Sequence, residues 1–334
     1  MKKVIVLSIA VFSLVLSDEF VESSTKIGGY GELHYDMEGN GGDGKLDFHR
    51  FILYVKHTFN SEWSMMSEIE IEHNMVYSEG DGGYLAMEQA HLNYWNGTWG
   101  WKGGVVLVPA GITNEYHEPP TFMSVERPEY NKYIIPTTWF DNGFGFYGNM
   151  GDFNWNFTMV GDLDGDEIGE GIRDARLKGV STSTSSWTKT VQFSWTGMSG
   201  LKMGGSVTMN DAPKDDGTSV GVTLTEMNTT YSANNMYARF EYGMIDYTDN
   251  PLGVESSSGY YLDLGYNLAD MVGCDGDLYL WTRTSTYNKN DDADGTDISL
   301  FGVTYKPLDN IAFKFETGSK NDSDIMRMGI GYMF

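Results

Sequence analysis

Most of the chain consists of short runs in which apolar and polar residues alternate. In the last run Met326, Met328 and Ile330 fall on one face, and Arg327 and Gly329 fall on the other. A period of two residues is typical of a β-strand, because successive side chains point to opposite faces. The pattern predicts sixteen strands, at residues 26–37, 46–59, 62–76, 84–96, 98–109, 140–150, 153–162, 187–196, 200–210, 217–232, 235–247, 257–268, 276–287, 296–307, 310–319 and 324–334.

The connections between these strands alternate between tight turns, such as 151–152, and longer polar loops, such as 163–186. Two connections break the rhythm, because 269–275 is long for a turn and 320–323 is short for a loop. An even strand number with turns at one end and loops at the other is typical of barrels in the bacterial outer membrane. The predicted fold class is therefore all-β, a transmembrane antiparallel up-and-down β-barrel of 16 strands, in the outer membrane of a Gram-negative-type bacterium. In such a barrel apolar side chains face lipid and polar side chains face the lumen.

The stretch 110–139 interrupts the alternation and holds four of the eight prolines. Loops of this length are uncommon in compact domains unless they have a function. We expect this segment, the constriction loop, to fold into the barrel and narrow the lumen. Its charged residues either line the constriction or pin the loop to the wall, as Glu126 with Arg127 would. They are Glu115, His117, Glu118, Glu126, Arg127 and Lys132.

The amino-terminal stretch has the features of an export signal. Two lysines precede an apolar run at 4–16 that is too short to span a membrane comfortably. We therefore predict a signal peptide at 1–17 and a single barrel domain at 18–334. No later apolar run reaches the roughly 20 residues of a membrane helix. A formal net charge of −25 argues against nucleic acid as a partner, because phosphates would be repelled.

Several motifs resemble outer-membrane porins of the phosphate-selective O and P type. They are Gly29-Tyr30-Gly31-Glu32, the strand at 50–59, Val108-Pro109, the loop motif at 114–120, Val125-Glu126-Arg127-Pro128 and the motif at 135–139. The resemblance covers most of the chain and is strongest over 26–150. It implies a sixteen-stranded passive channel, a homotrimer, whose third long loop lies in the pore. In that family arginines and lysines lining the channel select phosphate.

Charged residues on the polar faces of the strands are expected to line the pore. They are Arg50, Lys56, Glu68, Glu70, Glu72, Arg239, Glu241, Asp263, Arg283, Lys314, Glu316 and Arg327. The three glutamates on one strand would favour cations or leave selectivity weak.

The expected function is a porin for passive diffusion of small hydrophilic solutes and ions, with weak or cation-leaning selectivity. The partners expected are outer-membrane lipid and lipopolysaccharide, and no cofactor or metal is expected. One alternative is an anion- or phosphate-selective porin, as in the resembled family. Another is an outer-membrane barrel enzyme such as a lipase, although none of the six histidines has a convincing serine partner by spacing.

Overall fold

Sixteen β-strands form one closed sheet in the computed structural model, which describes residues 22–38, 43–76, 83–291 and 293–334. The predicted signal peptide lies outside the described residues. The strands are β1 (Ser24–Glu38), β2 (Lys45–Thr58), β3 (Trp63–Glu72), β4 (Leu85–Trp95), β5 (Trp99–Leu107), β6 (Phe140–Met150), β7 (Phe153–Val160), β8 (Thr188–Met198), β9 (Leu201–Pro213), β10 (Ser219–Ala233), β11 (Met236–Thr248), β12 (Ser256–Asn267), β13 (Asp277–Asn288), β14 (Thr296–Leu308), β15 (Ile311–Lys320) and β16 (Ser323–Met333).

Every strand pairs antiparallel with its neighbours in the chain, and β1 closes the barrel by pairing with β16. The predicted fold class is confirmed, and the predicted strands match the observed ones to within a few residues. The largest difference is at β3, which ends at Glu72 instead of at residue 76. His73, with a φ of 56°, is in the left-handed region, and this conformation ends the extended run.

The outward face of the barrel is apolar. Phe193 on β8, Leu280 on β13 and Phe301 on β14 are 56%, 53% and 63% exposed. Such large apolar side chains, repeated around a closed sheet, are suited to contact with hydrocarbon. The described helices are short: α1 (Ile112–Glu115), α2 (Tyr130–Tyr133), α3 (Ala269–Val272) and two single 3₁₀ turns. Within the described residues, no helix has the length and apolar character needed to cross a membrane.

The inward face carries apolar as well as polar side chains. Val220, Val222 and Leu224 on β10 point inward and are buried, as is Ile245 on β11. They belong to one hydrophobic cluster with residues of the constriction loop. Where protein instead of water fills a lumen, the wall beneath it must be apolar or fully hydrogen-bonded.

A second connection also folds inward. The segment 161–187 connects β7 to β8 and contains the predicted polar loop 163–186. Its Leu163, Ile168, Ile172 and Ala175 are buried in the same cluster as the constriction loop. Two segments therefore occupy the lumen, and each covers apolar surface of the other.

Candidate functional site

The constriction loop leaves the wall after β5 and returns to it at β6 through a neck closed by one asparagine. The Asn114 side chain donates to the Val108 carbonyl at 2.7 Å and accepts from the Trp139 amide at 2.6 Å. Both atoms of one amide thus join the two ends of the loop. The residues of the loop between Asn114 and Trp139 extend across the lumen.

The loop is anchored on the far wall by side chains of β14 and β15. The Lys314 Nζ donates to the carbonyls of Pro119 and Ser124 at 2.6 and 2.7 Å. The Glu316 carboxylate accepts from the Val125 amide at 2.7 Å. Because this part of the loop has little regular structure, wall side chains satisfy its backbone groups.

Strands β11 to β13 provide a second set of buried charges. Glu241 accepts from the Ile112 amide at 3.1 Å and from the Tyr261 hydroxyl at 3.0 Å, and Arg239 donates to the Thr121 carbonyl at 2.9 Å. In the wall itself, Arg283 forms a two-pronged ion pair with Asp263 at 2.6 and 2.7 Å. Such pairs are stable in a low-dielectric interior only when geometry and hydrogen bonding are good.

Strands β1 to β4 hold the near side of the loop by ion pairs. Arg50 bridges Glu32 at 2.6 Å and Glu70 at 3.1 Å within the wall. The Glu126 carboxylate lies 2.6 Å from Nδ1 of His34. Burial alone would raise the pKa of Glu126, but the hydrogen bond and charge of His34 outweigh it and lower the pKa to about 2.

His117 is the most deeply buried of the loop's charged candidates, at 2% exposure. Its Nε2 lies 3.3 Å from Oε1 of Glu68 on β3. Burial lowers the pKa of His117, yet the hydrogen bond and charge of Glu68 raise it above its usual value. The guanidinium of Arg127 donates to the His117 carbonyl at 3.1 Å.

The predicted pore-lining acids lie mostly beneath protein. Glu68, Glu241, Asp263 and Glu316 are each 0% exposed, and Glu70 is 1% exposed. The basic candidates Arg50, Arg239, Arg283, Lys314 and Arg327 are also buried, whereas Lys56 is exposed and Glu72 is half-buried. These charges mainly pair with one another or with the loop.

Other loop candidates reach open space on the two sides of the loop. We call the cavity at the loop end of the barrel, bordered by Arg127, Lys132 and Arg173, the outer chamber. The cavity at the turn end, bordered by Glu115, Tyr116 and Lys202, is the inner chamber. Lys132 is exposed in the outer chamber. Glu115, which accepts from the Gln192 amide at 2.6 Å, borders the inner chamber. Glu118 lies near the turn end, where the Tyr54 hydroxyl is 3.5 Å away.

The outer chamber, about 360 Å³, is lined by more bases than acids although the chain has 22 bases and 47 acids. Eight basic residues line it, against four acidic ones; three of the bases are buried, and the five that reach open space still exceed the acids by one. The bases are Arg50, Arg127, Lys132, Arg173, Arg176, Lys178, Lys320 and Arg327, and the acids are Asp36, Glu72, Glu126 and Glu129. The inner chamber, about 580 Å³, has Lys102 and Lys202 against Glu115. The open space on both sides of the loop is therefore bordered by an excess of bases.

Three of these bases, Arg173, Arg176 and Lys178, were missed from the sequence because they belong to the segment 161–187. Arg176 donates to the carbonyls of Pro136 and Thr138 at 3.2 and 2.6 Å. Burial, with the charge of Arg173, lowers the pKa of Arg176 to about 10, so it stays charged at neutral pH. The sequence signal was three bases within six residues, which an ordinary surface loop would also show.

Within the described residues, three groups of side chains could bring three ligand atoms to one metal ion. Two lie near the loop end of the barrel and share a histidine: His34, His49 and Glu126, and Asp47, His49 and His73. The third, Glu68, Glu88 and His117, is fully buried. No metal was expected from the sequence, and each of these groups combines residues from at least two separate segments of the chain.

No protein-family model matches the chain. An uncharacterized protein of Aquifex aeolicus (strain VF5) is 31% identical over 353 aligned residues, covering 94% of this chain and 81% of that protein.

Solved outer-membrane proteins share the fold. Salmonella typhi OmpF has a TM-score of 0.64 at 11% identity, covering 93% of this chain and 97% of its own. The outer membrane channel DcaP of Acinetobacter baumannii has a TM-score of 0.63 at 11% identity, with the same coverage. The trimer form of Vibrio cholerae OmpT has a TM-score of 0.59 at 12% identity, covering 93% and 99%. At these identities the likeness concerns the fold alone.

Proposed function

This chain belongs to one family with the Aquifex aeolicus protein. From the closed barrel fold we propose that it is a porin. It allows small hydrophilic solutes and ions to diffuse passively across the outer membrane. The observation that carries the proposal is a closed barrel with a loop across its lumen and polar chambers on both sides of that loop. The outward apolar face supports location in lipid, with lipid and lipopolysaccharide as its surroundings.

A second candidate function is the anion-leaning form of this porin, with phosphate as its most specific substrate. The cation-leaning expectation rested on Glu68, Glu70 and Glu72, and the first two do not reach solvent. Bases exceed acids in both chambers, and a field set by such linings attracts anions. The charge of the lining therefore favours anions over cations.

A homotrimer is the proposed assembly. The barrel is like that of the OmpT trimer form, and the apolar outer wall offers surface for packing between barrels as well as for lipid.

The lipase alternative is less well supported. The Ser23 hydroxyl lies 3.3 Å from Nε2 of His57, which is the first contact a serine hydrolase needs. However, Nδ1 of the same ring lies 2.7 Å from the Thr25 hydroxyl, where a triad would have a carboxylate.

Single-channel recording in a planar bilayer tests the channel. The purified protein is expected to give stepwise conductance, and heat-unfolded protein in the same detergent should give none. A folded protein that inserts without conductance would overturn the proposal.

Thiol labelling assigns the current to the lumen. In a Cys274→Ser background, a charged thiol reagent should reduce conductance of the Lys132→Cys variant, because this position is exposed in the outer chamber. The matched control is Asp309→Cys, on an exposed turn between β14 and β15, where labelling should leave the conductance unchanged.

A further inference from the structure

Three buried ligand groups converge where the constriction loop meets strands β3 and β4. Nε2 of His117 lies 3.3 Å from Oε1 of Glu68 and 3.8 Å from Oε2 of Glu88. The three ligand atoms all lie within 4.8 Å of one another, and the side chains are 2%, 0% and 0% exposed. Two carboxylates and one imidazole thus share a site that solvent does not reach.

Each of these side chains has its second polar atom held by another group. Nδ1 of His117 lies 3.2 Å from the Asn114 carbonyl, Oε2 of Glu68 accepts from Gln89 at 2.6 Å, and Oε1 of Glu88 accepts from the Thr138 hydroxyl. These bonds leave one atom of each residue directed at the common centre. When a metal ion displaces the proton from Nε2, Nδ1 donates to the carbonyl and Nε2 presents its lone pair to the ion, as in metal sites whose histidines are oriented by an outer partner.

Glu88 provides an independent sign of a ligand. Its Oε2 is buried and accepts no hydrogen bond among the described residues, and His117 Nε2 lies 3.8 Å from it. An unsatisfied buried carboxylate oxygen is costly. The residue reaches this position through a register shift, because Gln89 pairs with Glu68 and Met87 pairs with Ile69. Such a bulge re-aims a side chain, here toward the site.

The distances suit a small divalent ion. Ligands bound to zinc at about 2.0–2.1 Å in a tetrahedral arrangement lie roughly 3.4 Å apart. The two contacts of His117, at 3.3 and 3.8 Å, fall near this value. Two carboxylates with a neutral imidazole would also neutralise a charge of +2.

We propose that Glu68, Glu88 and His117 bind a divalent transition-metal ion of the zinc type. Nitrogen and carboxylate ligands in this number are those zinc uses in sites with three protein ligands. Because His117 comes from the loop and both glutamates from the wall, the ion fastens the loop to β3 and β4. Thr138, at the other end of the loop, positions Glu88. The inference does not depend on transport.

Zinc binding to the refolded full chain tests the proposal. Protein refolded with Zn²⁺ and then dialysed is expected to retain one equivalent, and Co²⁺ should give the visible absorption bands of a bound ion. Glu88→Gln and His117→Gln should each weaken Zn²⁺ binding by on the order of 100-fold, measured against a chromophoric chelator. Thr138→Val removes no ligand and should weaken binding by about 10-fold.

Glu118→Gln is the matched control, because it removes the neighbouring carboxylate of the same loop, which is not among the three ligands. It should bind zinc as the wild type does. Heat-dependent migration on gels shows that each variant is folded, and Thr138→Val keeps the test open if a ligand variant does not fold. The proposal is overturned if the folded wild type retains no zinc or cobalt. It is equally overturned if Glu88→Gln binds zinc as tightly as the wild type, or if Glu118→Gln loses it equally.

Discussion

The constriction loop is held in two different ways on two sides of the lumen. On the ionic side, charged residues of β1–β4 and β12–β15 pair with one another and with the loop backbone. On the apolar side, Val222, Leu224 and Ile245 pack with Ile135 of the loop and Ile172 of the segment 161–187. Hydrogen bonds and ion pairs are directional and fix the path of the loop, whereas apolar burial stabilises it without fixing single atoms. The comparison teaches that buried acids in this lumen act as anchors.

The largest effect is expected from breaking a buried pair on the ionic side. Asp263→Ala leaves the Arg283 guanidinium, 3% exposed, without its carboxylate. The free energy of unfolding should fall by about 3–5 kcal/mol, measured by urea titration of the folded barrel. Asp309→Ala, at an exposed turn, should change it by less than about 0.5 kcal/mol. If both variants lowered the free energy of unfolding by the same small amount, the buried ion pair would not stabilise the barrel as described.

A slightly smaller effect is expected on the apolar side. Ile172→Ala removes a fully buried side chain and should lower the free energy of unfolding by about 2–4 kcal/mol. Because no charge is involved, the loss should be the same at low and high salt. Leu252→Ala, 68% exposed, is the control and should have little effect. If the stability lost in Ile172→Ala depended strongly on salt, charge interactions would contribute on this side too, and the distinction between the two sides would be wrong.

Acid should weaken the ionic side through Glu126, which faces His34 and, further away, His49 and Glu32. The pKa of Glu126 falls from its ordinary 4.5 to about 2 in the folded protein. A lowered pKa contributes stability that is present above pH 4.5 and is lost as pH falls toward 2. The free energy of unfolding should therefore fall across this window, and Glu126→Gln should flatten the dependence. An identical slope in both proteins would exclude Glu126 as its source.

The smallest change in free energy is expected for the preference of the channel between anions and cations. Arg173→Ser with Lys178→Ser removes two bases from the outer chamber, and each such charge is worth about 1 kcal/mol or less near water. The reversal potential in a KCl gradient should shift toward cations. Asp263→Asn alters a buried anchor, 0% exposed, whose partner Arg283 borders neither chamber, and should leave the reversal potential unchanged. A shift caused by the buried-acid variant and none caused by the double base variant would show that buried acids, not chamber bases, set the ion preference.

The barrel could be predicted from the sequence because each strand has a period of two and each turn is marked by polar residues or glycine. The constriction loop could be predicted because its prolines forbid a strand. Whether Glu68 and Glu70 meet water or protein could not be predicted, since an inward acid produces the same alternation in either case. That distinction depends on where the loop lies.

The rest of the site depends on long-range packing. Ile168 and Ile172 lie in a connection without regular period, so the sequence did not reveal that it folds inward. Glu88 is the extra residue of a register shift in the pairing of β3 with β4. The apolar positions of β4 change phase there, from Leu85 and Met87 to Leu92, but this change does not reveal which groups Glu88 meets. Its ligand partners come from β3 and from the constriction loop.

The reversal potential of the wild-type channel in a KCl gradient tests the central claim most directly. If buried acids are anchors and chamber bases face the permeating ions, the potential will have the sign of an anion-preferring channel, and phosphate will reduce the chloride current. A potential of the opposite sign, unaffected by phosphate, would show that acidic side chains reach the ion path and would contradict the account.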